Sequence, residues 1–399
     1  MKQLEIAVAG AGPAGLAMAL ALNRAGHHVT LFDQFAEPQP IGSGLLLQPT
    51  GLAVLEWLGL ADRMQNLGAR IDRLHGKANG RVVLDVRYAA FGPVSGLAVH
   101  RAGLFNVLHD AVKAAQITVK TKHEIISLRG NILITHEADR VGPFDLIVDA
   151  LGSRSPLIAH AARGDRRIRM PYGAIWASLP WPGDSFDAHA LEQRYHRASQ
   201  MCGVLPIGKM HELDDQQAAF FWSMKTEDYA SWQADGLVVW KQKVMELWPE
   251  IQNMLATIND PSQLTLAVYD HHTLPVPYGK NLVFIGDSAH STSPQLGQGA
   301  NMALLDVASL MMALDSHDSL EAACKSYARA RRFHVRLFQV LSYIFTPFYQ
   351  SDSRMLPLVR DSLVASASGI VPIQRLLVRI VSGQLGLPAK ALALMAPSR

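Results

Sequence analysis

Three glycines near the start of the chain have the spacing of a phosphate-binding turn. Gly10, Gly12 and Gly15 form a Gly-x-Gly-x-x-Gly pattern, with Pro13 and Ala14 between the second and the third glycine. The first glycine permits a tight turn, the second lets the backbone approach a pyrophosphate, and the third allows a helix to pack closely on a strand. A helix that begins here would present its N–H groups and its positive dipole end to phosphates. The pattern predicts a dinucleotide site, but it does not separate FAD from NAD.

The segments around these glycines predict the elements that would position them. Leu4 to Ala9 alternates like a strand, Ala14 to Ala25 is a helix rich in Ala and Leu, and His28 to Phe32 is a second strand. Asp33 follows that second strand, where its carboxylate can accept hydrogen bonds from a ribose. A strand, a helix, a strand and an acid in this order make the prediction much stronger than the glycines alone.

A second glycine-rich stretch lies far along the chain, after a predicted buried strand at 282–285. Asp287 stands beside a glycine at the end of this strand, where a carboxylate can bond a hydroxyl of a cofactor's polyol chain. Pro294 and Gly297 would carry the backbone past a flat ring, and a helix is predicted to begin near Gly299. The N–H groups of that helix would stabilise the negative charge near N1 and O2 of a reduced flavin. This stretch therefore favours FAD over NAD.

The stretch from Gly286 to Asn301 resembles the GD motif of group A flavoprotein monooxygenases, the p-hydroxybenzoate-hydroxylase-like class. The loop at 41–51, the helix start at His100 to Leu104 and the helix at Tyr327 to Arg332 resemble the same family. The resemblance extends over most of the chain and implies FAD as the cofactor. The FAD contacts predicted from the motifs and the resemblance are Gly10, Gly12, Pro13, Ala14, Gly15, Asp33, Gln34, Gly44, Leu45, Arg101, Gly286, Asp287, Pro294, Gly297, Gln298, Gly299, Ala300 and Asn301.

The patterns and the resemblance together predict an α/β fold. Its parts are a Rossmann-type, glutathione-reductase-like FAD-binding domain with a β-meander, an inserted mixed α+β substrate domain over an antiparallel sheet, and a helical C-terminal tail. Three short strands at 117–120, 123–128 and 132–136 are predicted to form the meander. The predicted bounds are 1–70, 98–170 and 268–336 for the FAD-binding domain, 71–97 and 171–267 for the substrate domain, and 337–399 for the tail.

One motif departs from the pattern of the family. Where the family usually has Ala-Asp-Gly, this chain has Ala150, Leu151 and Gly152, and an aspartate stands earlier, at Asp149. The motif of the family is associated with both FAD and NAD(P)H, so the change bears on how the flavin is reduced. Either Asp149 or a backbone group replaces the missing acid, with NAD(P)H as the reductant, or the flavin receives its electrons in another way.

By resemblance, the predicted function is that of an FAD-dependent monooxygenase with NAD(P)H as reductant. Reduced flavin would form a C4a-hydroperoxide with O2 and pass one oxygen atom to an aromatic or conjugated small molecule. Pro294 is expected to border the reacting edge, and no general base can be assigned. An apolar substrate pocket is predicted at Leu47, Trp176, Pro206 and Phe221. The alternatives are a flavin-dependent reductase or dehydrogenase on the same fold, and a flavin-binding protein without turnover.

Composition and charge exclude other classes of protein. Of the 399 residues, 49% are hydrophobic and 18% are charged, which indicates a globular chain with a large core. The net charge is +3, and no run of like charges resembles a nucleic-acid-binding arm. Cys202 and Cys324 are far apart and indicate a reducing, cytoplasmic compartment. His271 and His272 lack further ligands at metal-site spacing, so no metal is predicted, and His290 is expected to have a structural role.

The predicted helical tail raises the question of whether the chain contacts a membrane. No window of about twenty apolar residues predicts a membrane span. A helix is predicted from Pro372 to Ile380, with Arg375 and Arg379 beside apolar residues. Packing on the domain or on a partner subunit is a commoner fate for such a helix than contact with a membrane surface. The expected partners are a small aromatic or conjugated substrate and O2, in a monomer or a homodimer.

Overall fold

The computed structural model describes residues 2–37, 42–183, 185–364 and 370–387. In this part of the chain the α-helices are α1 Pro13–Arg24, α2 Pro49–Trp57, α3 Ala61–Leu67, α4 Arg101–Ala114, α5 Tyr229–Leu247, α6 Gln252–Ala256, α7 Gly299–Asp315, α8 Leu320–Tyr349, α9 Leu356–Val359 and α10 Val371–Val381. The strands are β1 Glu5–Ala9, β2 His28–Phe32, β3 Gly44–Leu47, β4 Ala69–Ile71, β5 Arg73–Ala78, β6 Arg81–Arg87, β7 Gly96–His100, β8 Thr118–Lys120, β9 Ile125–Arg129, β10 Ile132–Thr135, β11 Arg140–Val141, β12 Leu146–Asp149, β13 Arg166–Pro180, β14 Ala190–His196, β15 Gln200–Gly208, β16 Gln217–Lys225, β17 Thr265–Thr273, β18 Tyr278–Gly279, β19 Leu282–Phe284 and β20 His290–Ser291.

Six strands form a sheet in the order β18-β19-β12-β1-β2-β8. β1 pairs in parallel with β2 and with β12, and β12 pairs in parallel with β19. Successive side chains of β1 point to opposite faces, so that Ile6 and Val8 pack against α1, α4 and α7, while Ala7 and Ala9 face the meander. This is the Rossmann-type arrangement that the N-terminal pattern predicted, and the predicted α/β fold is confirmed.

The predicted β-meander is present but shifted along the chain. Its antiparallel strands are β9, β10 and β11. The segment predicted as its first strand is β8, which pairs in parallel with β2 in the six-stranded sheet. The reason is α4, which packs on that sheet and returns the chain in the direction of β2. The sequence pattern shows a short strand at this place but not which sheet it joins.

Eight strands form a second, mostly antiparallel sheet in the order β20-β17-β13-β16-β15-β14-β5-β6. The two stretches predicted for the substrate domain share this sheet, because β5 pairs with β14. One face packs against α5, whose Trp232 and Trp240 lie among apolar side chains of the sheet. The opposite face carries Trp176 and Phe221 and packs in part on β3 and β7. These two faces decide which side chains can reach the candidate site.

The C-terminal part of the described chain is helical. α8 is one helix of 30 residues, so the predicted domain bound between 336 and 337 falls inside it. Val335 and Phe338 of α8 pack against Ile380 of α10. The predicted tail extends to 399, and its residues 365–369 and 388–399 lie outside the described residues. Among the described helices, none is both long enough and apolar enough to cross a membrane.

Candidate active site

The glycine-rich turn joins β1 to α1 and requires two of its glycines for close packing. Gly10 has a φ of 102°, and a Cβ on it would lie 2.5 Å from the carbonyl oxygen of Ala150 at the end of β12. A Cβ on Gly15 would lie 1.8 Å from the carbonyl oxygen of Gly10. Larger residues at these positions would push α1 away from the sheet. The turn can therefore form only with glycine at both places.

Asp33 ties the end of β2 to this turn. Its Oδ2 accepts a hydrogen bond from the N–H of Ala11 at 2.9 Å, and its Oδ1 accepts one from the N–H of Phe35 at 2.9 Å. The side chain is half-buried, and Gln34 beside it is exposed. The carboxylate is thus fixed next to the turn and retains lone pairs for a ribose hydroxyl.

The second glycine-rich loop lies directly against the first. A Cβ on Gly286 would lie 3.3 Å from the Cβ of Ala14 and 3.2 Å from the Cβ of Ala303. Gly286 also has a φ of 61°, a conformation that glycine adopts without strain. Two motifs that are more than 270 residues apart in the chain therefore meet beside the N-termini of α1 and α7.

Asp287 and Tyr269 both lie near Arg101, and we infer that the three residues line one cavity. The side chain of Asp287 is exposed to solvent, but many protein atoms surround it. This burial raises the pKa of its carboxyl, and the charge of the nearby Arg101 opposes that rise. Burial also raises the pKa of Tyr269 to about 12, again with Arg101 acting in the opposite direction. A side chain that is accessible and yet surrounded by protein lines an internal cavity. The start of α4, β17 and the loop after β19 therefore contribute to the same site.

The start of α4 is held by His100. The Nδ1 of His100 accepts a hydrogen bond from the N–H of Ala102 at 3.0 Å, and its Nε2 lies 3.0 Å from the hydroxyl of Ser178. Burial lowers the pKa of His100, so the ring is neutral and Nδ1 can accept. Arg101 packs against Gly42, where a Cβ would lie 2.8 Å from Nη1. Ile41, which precedes Gly42 in the loop that resembles the family, lies outside the described residues.

The buried carboxylate of Asp306 in α7 anchors the loop after β19 through hydrogen bonds. Asp306 of α7 accepts hydrogen bonds from the N–H of Gly286 at 2.8 Å and from Nε2 of His290 at 2.7 Å. Its other oxygen accepts from Nε of Arg331 at 2.6 Å. Burial alone would raise the pKa of this carboxyl, but the charges of His290 and Arg331 outweigh burial and lower it to about 2. His290 has the structural role predicted for it, whereas Asp306 and Arg331 were not predicted.

Residues 3–133 and 188–337 match the family model described as FAD binding domain. This chain belongs to that family. The matched residues include the glycine-rich turn, Arg101 and the whole loop after β19. The chain is a member of the group A flavoprotein monooxygenases, as the resemblance implied, and its cofactor is FAD.

Similar proteins cover 77% to 96% of the chain. The chain is 25% identical over 324 residues to the 6-hydroxynicotinate 3-monooxygenase of Bordetella bronchiseptica, a match that covers 77% of this chain and 81% of the relative. It is 24% identical over 383 residues to the aurachin C monooxygenase/isomerase of Stigmatella aurantiaca, with coverage of 92% and 94%. HpxO of Klebsiella pneumoniae, solved in complex with FAD and uric acid, has a TM-score of 0.80 at 18% identity and covers 96% of this chain and 98% of its own. The last match shows a shared fold.

The space beside Gly12 fits the pyrophosphate of FAD. A Cβ on Gly12 would meet no protein atom within 4 Å, in contrast to Gly10 and Gly15. Gly12 is also the N-cap of α1, and no side chain caps the first N–H groups of this helix. Uncapped N–H groups beside open space form an anion site.

The predicted FAD contacts at the start of α7 divide into two groups. Gln298 and Asn301 are buried and bind protein: the amide of Asn301 donates to the carbonyl of Leu46 at 3.0 Å and accepts from the N–H of Gln48 at 2.8 Å. Asn301 thus fixes α7 to the end of β3, whereas the amide of Gln298 donates to the carbonyl oxygen of Val381 at the end of α10. The others are exposed or half-buried, so their backbones can face the flavin: Pro294, Gly297, Gly299 and Ala300.

Two of the predicted substrate-pocket residues lie side by side. Trp176 and Phe221 are opposite each other on β13 and β16, and their ring centroids are 4.8 Å apart. The indole N–H of Trp176 donates a hydrogen bond of 3.0 Å to the phenol oxygen of Tyr269. Tyr269 thereby links this aromatic pair to the cavity of Arg101 and Asp287. Tyr269 was not predicted, because an aromatic residue in a strand is by itself no sign of a site.

The other two predicted pocket residues lie elsewhere. Pro206 pairs with Ala218, whose side chain belongs to the apolar layer under α5, so Pro206 faces away from Trp176. Successive side chains of a strand point to opposite faces, and the sequence did not show which face is the inner one. Leu47 is fully buried in the core between α1, α4, α7 and the six-stranded sheet. Both pocket predictions are therefore corrected.

Asp149 does not put a carboxylate at the surface in place of the missing acid. It is fully buried, and it accepts hydrogen bonds from the N–H of Leu151 at 2.9 Å and from the hydroxyl of Ser155. Burial raises the pKa of this carboxyl to about 7. Leu151 packs on the apolar layer beneath the meander. Asp149 shapes the turn after β12 and is not accessible to solvent.

Proposed function

We propose that this chain is an FAD-dependent monooxygenase that transfers one oxygen atom of O2 to an aromatic or conjugated small molecule. The observation that carries the proposal is the cavity where Arg101 and Asp287 meet Tyr269 and Trp176. It combines a charged end, suited to the flavin, with an aromatic wall, suited to a planar substrate. Family membership supports the same class of reaction.

When bound, FAD supplies the reaction of its reduced ring with O2, and the protein supplies position and charge. The N–H groups at the start of α1 would bind the diphosphate, and Asp33 would accept a hydrogen bond from the ribose. Asp287 lies where it can bond the polyol chain. The N-terminus of α7 and the guanidinium of Arg101 place positive charge at the cavity, which stabilises a reduced, anionic ring.

The aromatic side of the cavity would hold the substrate. Burial raises the pKa of Tyr269 to about 12, so its hydroxyl is protonated at neutral pH. The oxygen accepts from Trp176, which leaves the O–H proton to donate to a polar group of the substrate. Relatives are named for 6-hydroxynicotinate and urate, both nitrogen heterocycles. We therefore propose an electron-rich aromatic ring, with hydroxylated nitrogen heterocycles as the first compounds to test.

NAD(P)H is the proposed reductant, although Leu151 replaces the usual acid and Asp149 is buried. Groups other than these two would then bind the nicotinamide. Rapid mixing of the oxidised protein with NADH or NADPH tests this point separately from the reaction on substrate. Fast bleaching of the flavin band supports a nicotinamide reductant. No bleaching with either compound, together with product formation after chemical reduction, identifies a different electron donor.

The proposed function is tested by incubating the holoenzyme with NAD(P)H, O2 and a panel of phenols and hydroxylated heterocycles. Substrate-dependent O2 consumption and a hydroxylated product detected by mass spectrometry support it. Reduction of a substrate without O2 would identify a reductase or dehydrogenase. Neither reaction, even with chemically reduced flavin, would identify a flavin-binding protein without turnover.

A further inference from the structure

The outward side of α8 carries large apolar side chains that the described part of the chain leaves exposed. Phe333, Val340, Tyr343 and Ile344 are 66%, 54%, 58% and 52% exposed. Residues seven and eleven positions apart lie on the same side of an α-helix, so Phe333, Val340 and Ile344 form one stripe and Tyr343 borders it. Soluble proteins rarely leave such a stripe open without a partner.

Basic residues lie in the same stripe. Arg329 and Arg336 are exposed and stand four residues before and three residues after Phe333, on the same side of the helix. Neither has an ion-pair partner among the described residues. The sequence from 322 to 349 contains no Asp or Glu. We call Arg329, Phe333, Arg336, Val340, Tyr343 and Ile344 the α8 outer face.

The neighbouring tail has the same character. α10 packs beside α8 through Ile380, while Val371 and Leu376 are 58% and 47% exposed, and Arg375 and Arg379 are exposed as well. The segment after α10 returns to α8, because a Cβ on Gly386 would lie 2.9 Å from the ring of Phe333. Residues 329–399 contain ten Lys or Arg and two Asp or Glu, whereas the whole chain has a net charge of +3. The C-terminal part of the sequence is therefore more basic than the chain as a whole.

We propose that the α8 outer face docks on the surface of an anionic lipid bilayer. A helix side that combines exposed arginines with aromatic and aliphatic side chains is suited to the boundary between headgroups and acyl chains. A second copy of this chain fits less well, because a two-fold contact would bring arginines of both copies together with no carboxylate on this face to pair with them. The outer face therefore complements negative charge.

Docking in this way leaves the flavin site intact. The opposite side of α8 carries Arg331, which binds Asp306 behind the flavin loop, and His334, whose Nε2 lies 2.9 Å from the carbonyl oxygen of Gly383. Tyr343, at the border of the stripe, packs its ring against His271, whereas the residues to be substituted, Arg329, Arg336, Val340 and Ile344, lie on the side away from Arg331. Substitutions of the outer face change only exposed side chains and should leave FAD binding unchanged.

The test is co-sedimentation of the FAD-loaded protein with vesicles. Vesicles of phosphatidylglycerol and phosphatidylcholine in equal parts are compared with vesicles of phosphatidylcholine alone, at low and at high salt. We expect binding to the anionic vesicles only, and weaker binding at high salt because ions screen the arginines. The double variant Arg329→Gln/Arg336→Gln should bind about tenfold more weakly or worse, and Val340→Ser/Ile344→Ser should also lose binding.

Lys113→Gln/Lys120→Gln, which removes two exposed charges elsewhere, is the matched control and should bind as the native protein does. Flavin absorbance and light scattering of each protein report fold and oligomeric state. The proposal is overturned if native protein does not sediment, or if both outer-face variants sediment like the control. It is also overturned if the native protein is a dimer that does not bind vesicles and Val340→Ser/Ile344→Ser is a monomer. A second copy of the chain would then cover the face.

Discussion

The indole N–H of Trp176 donates a hydrogen bond of 3.0 Å to the phenol oxygen of Tyr269. Trp176 lies on β13 and Tyr269 on the adjacent β17, so the bond joins two strands at the inner face of the sheet. It fixes the direction of the Tyr269 hydroxyl, whose oxygen accepts and whose proton can point into the cavity. The aromatic wall is in this way coupled to the charged end at Arg101.

Replacing Tyr269 by phenylalanine should impair the reaction without expelling the flavin. The ring remains, but the hydroxyl that would donate to the substrate is lost, and the N–H of Trp176 loses its acceptor. We expect kcat/KM for hydroxylation to fall about tenfold, the effect of one hydrogen bond. Tyr229→Phe on α5, which packs on the opposite face of the sheet, is the control. Unchanged kinetics in Tyr269→Phe would remove this residue from the substrate site.

The three glycines of the first turn should differ in what they support. Gly12→Ala places a methyl group in open space, so the flavin-free variant should have the same unfolding temperature as the flavin-free native protein. Its affinity for FAD should fall about tenfold or more, because the methyl group occupies the space of the pyrophosphate. Gly15→Ala would bring a Cβ to 1.8 Å from the Gly10 oxygen, so the protein itself should be strongly destabilised. Thermal unfolding without FAD and a fluorescence titration with FAD separate the two effects. Normal FAD affinity in Gly12→Ala would contradict the assignment of the pyrophosphate site.

Asp306→Asn should loosen the flavin loop. The substitution leaves Arg331 buried with no carboxylate partner, which costs about 3–5 kcal/mol in comparable buried ion pairs. We expect a lower unfolding temperature and faster release of FAD, because Gly286 and His290 lose the anion that holds them. Asp315→Asn, at the exposed end of the same helix, is the matched control. Equal stability and FAD retention in the two variants would show that the buried network does not position the loop.

Much of the nucleotide-binding half could be predicted because its requirements are local. The turn needs glycine where Gly10 and Gly15 sit, and strand and helix periods surround it. The network behind the loop could not be predicted in the same way. Asp306 is one acid within an apolar helix and Arg331 one of several arginines, and only the packing of α7 on α8 pairs them. An acid in the middle of an apolar helix is nevertheless a signal that a buried partner must exist.

The pH dependence of stability should reveal the buried acid Asp149. An unfolded chain ionises an aspartate near its ordinary pKa of about 4, whereas burial raises the pKa of folded Asp149 to about 7. Between these values the folded state keeps a proton that the unfolded state has lost, so stability falls as pH rises from about 4 to about 7 and is level above. Asp149→Asn should remove this loss, which amounts to a few kcal/mol at most.

Urea unfolding of Asp149→Asn and of the native protein, each below pH 5 and at pH 8, measures this difference. The variant should gain stability relative to the native protein at pH 8 only. Asp139→Asn, which alters an exposed acid of the meander, should follow the native protein at both pH values. An advantage of Asp149→Asn that does not change with pH would mean that Asp149 is ionised in the folded state.

The substrate side shows where prediction from sequence ends. Trp176 and Phe221 were predicted because aromatic residues are common in apolar pockets, and they lie side by side, but Pro206 was assigned to the wrong face. The face of a strand depends on register and on which layer covers it, and α5 and β3 cover opposite faces here. Tyr269 acquires its role only through the hydrogen bond to Trp176, between strands that are distant in sequence.

The central claim, that this chain transfers an oxygen atom from O2 to an aromatic substrate, is tested most directly with isotopically labelled oxygen. The holoenzyme is turned over with NAD(P)H, or with chemically reduced flavin, under ¹⁸O2 in ordinary water, and the product is analysed by mass spectrometry. We expect a product that carries one labelled oxygen atom. A product whose new oxygen comes from water, or a substrate that is converted equally well without O2, would contradict it.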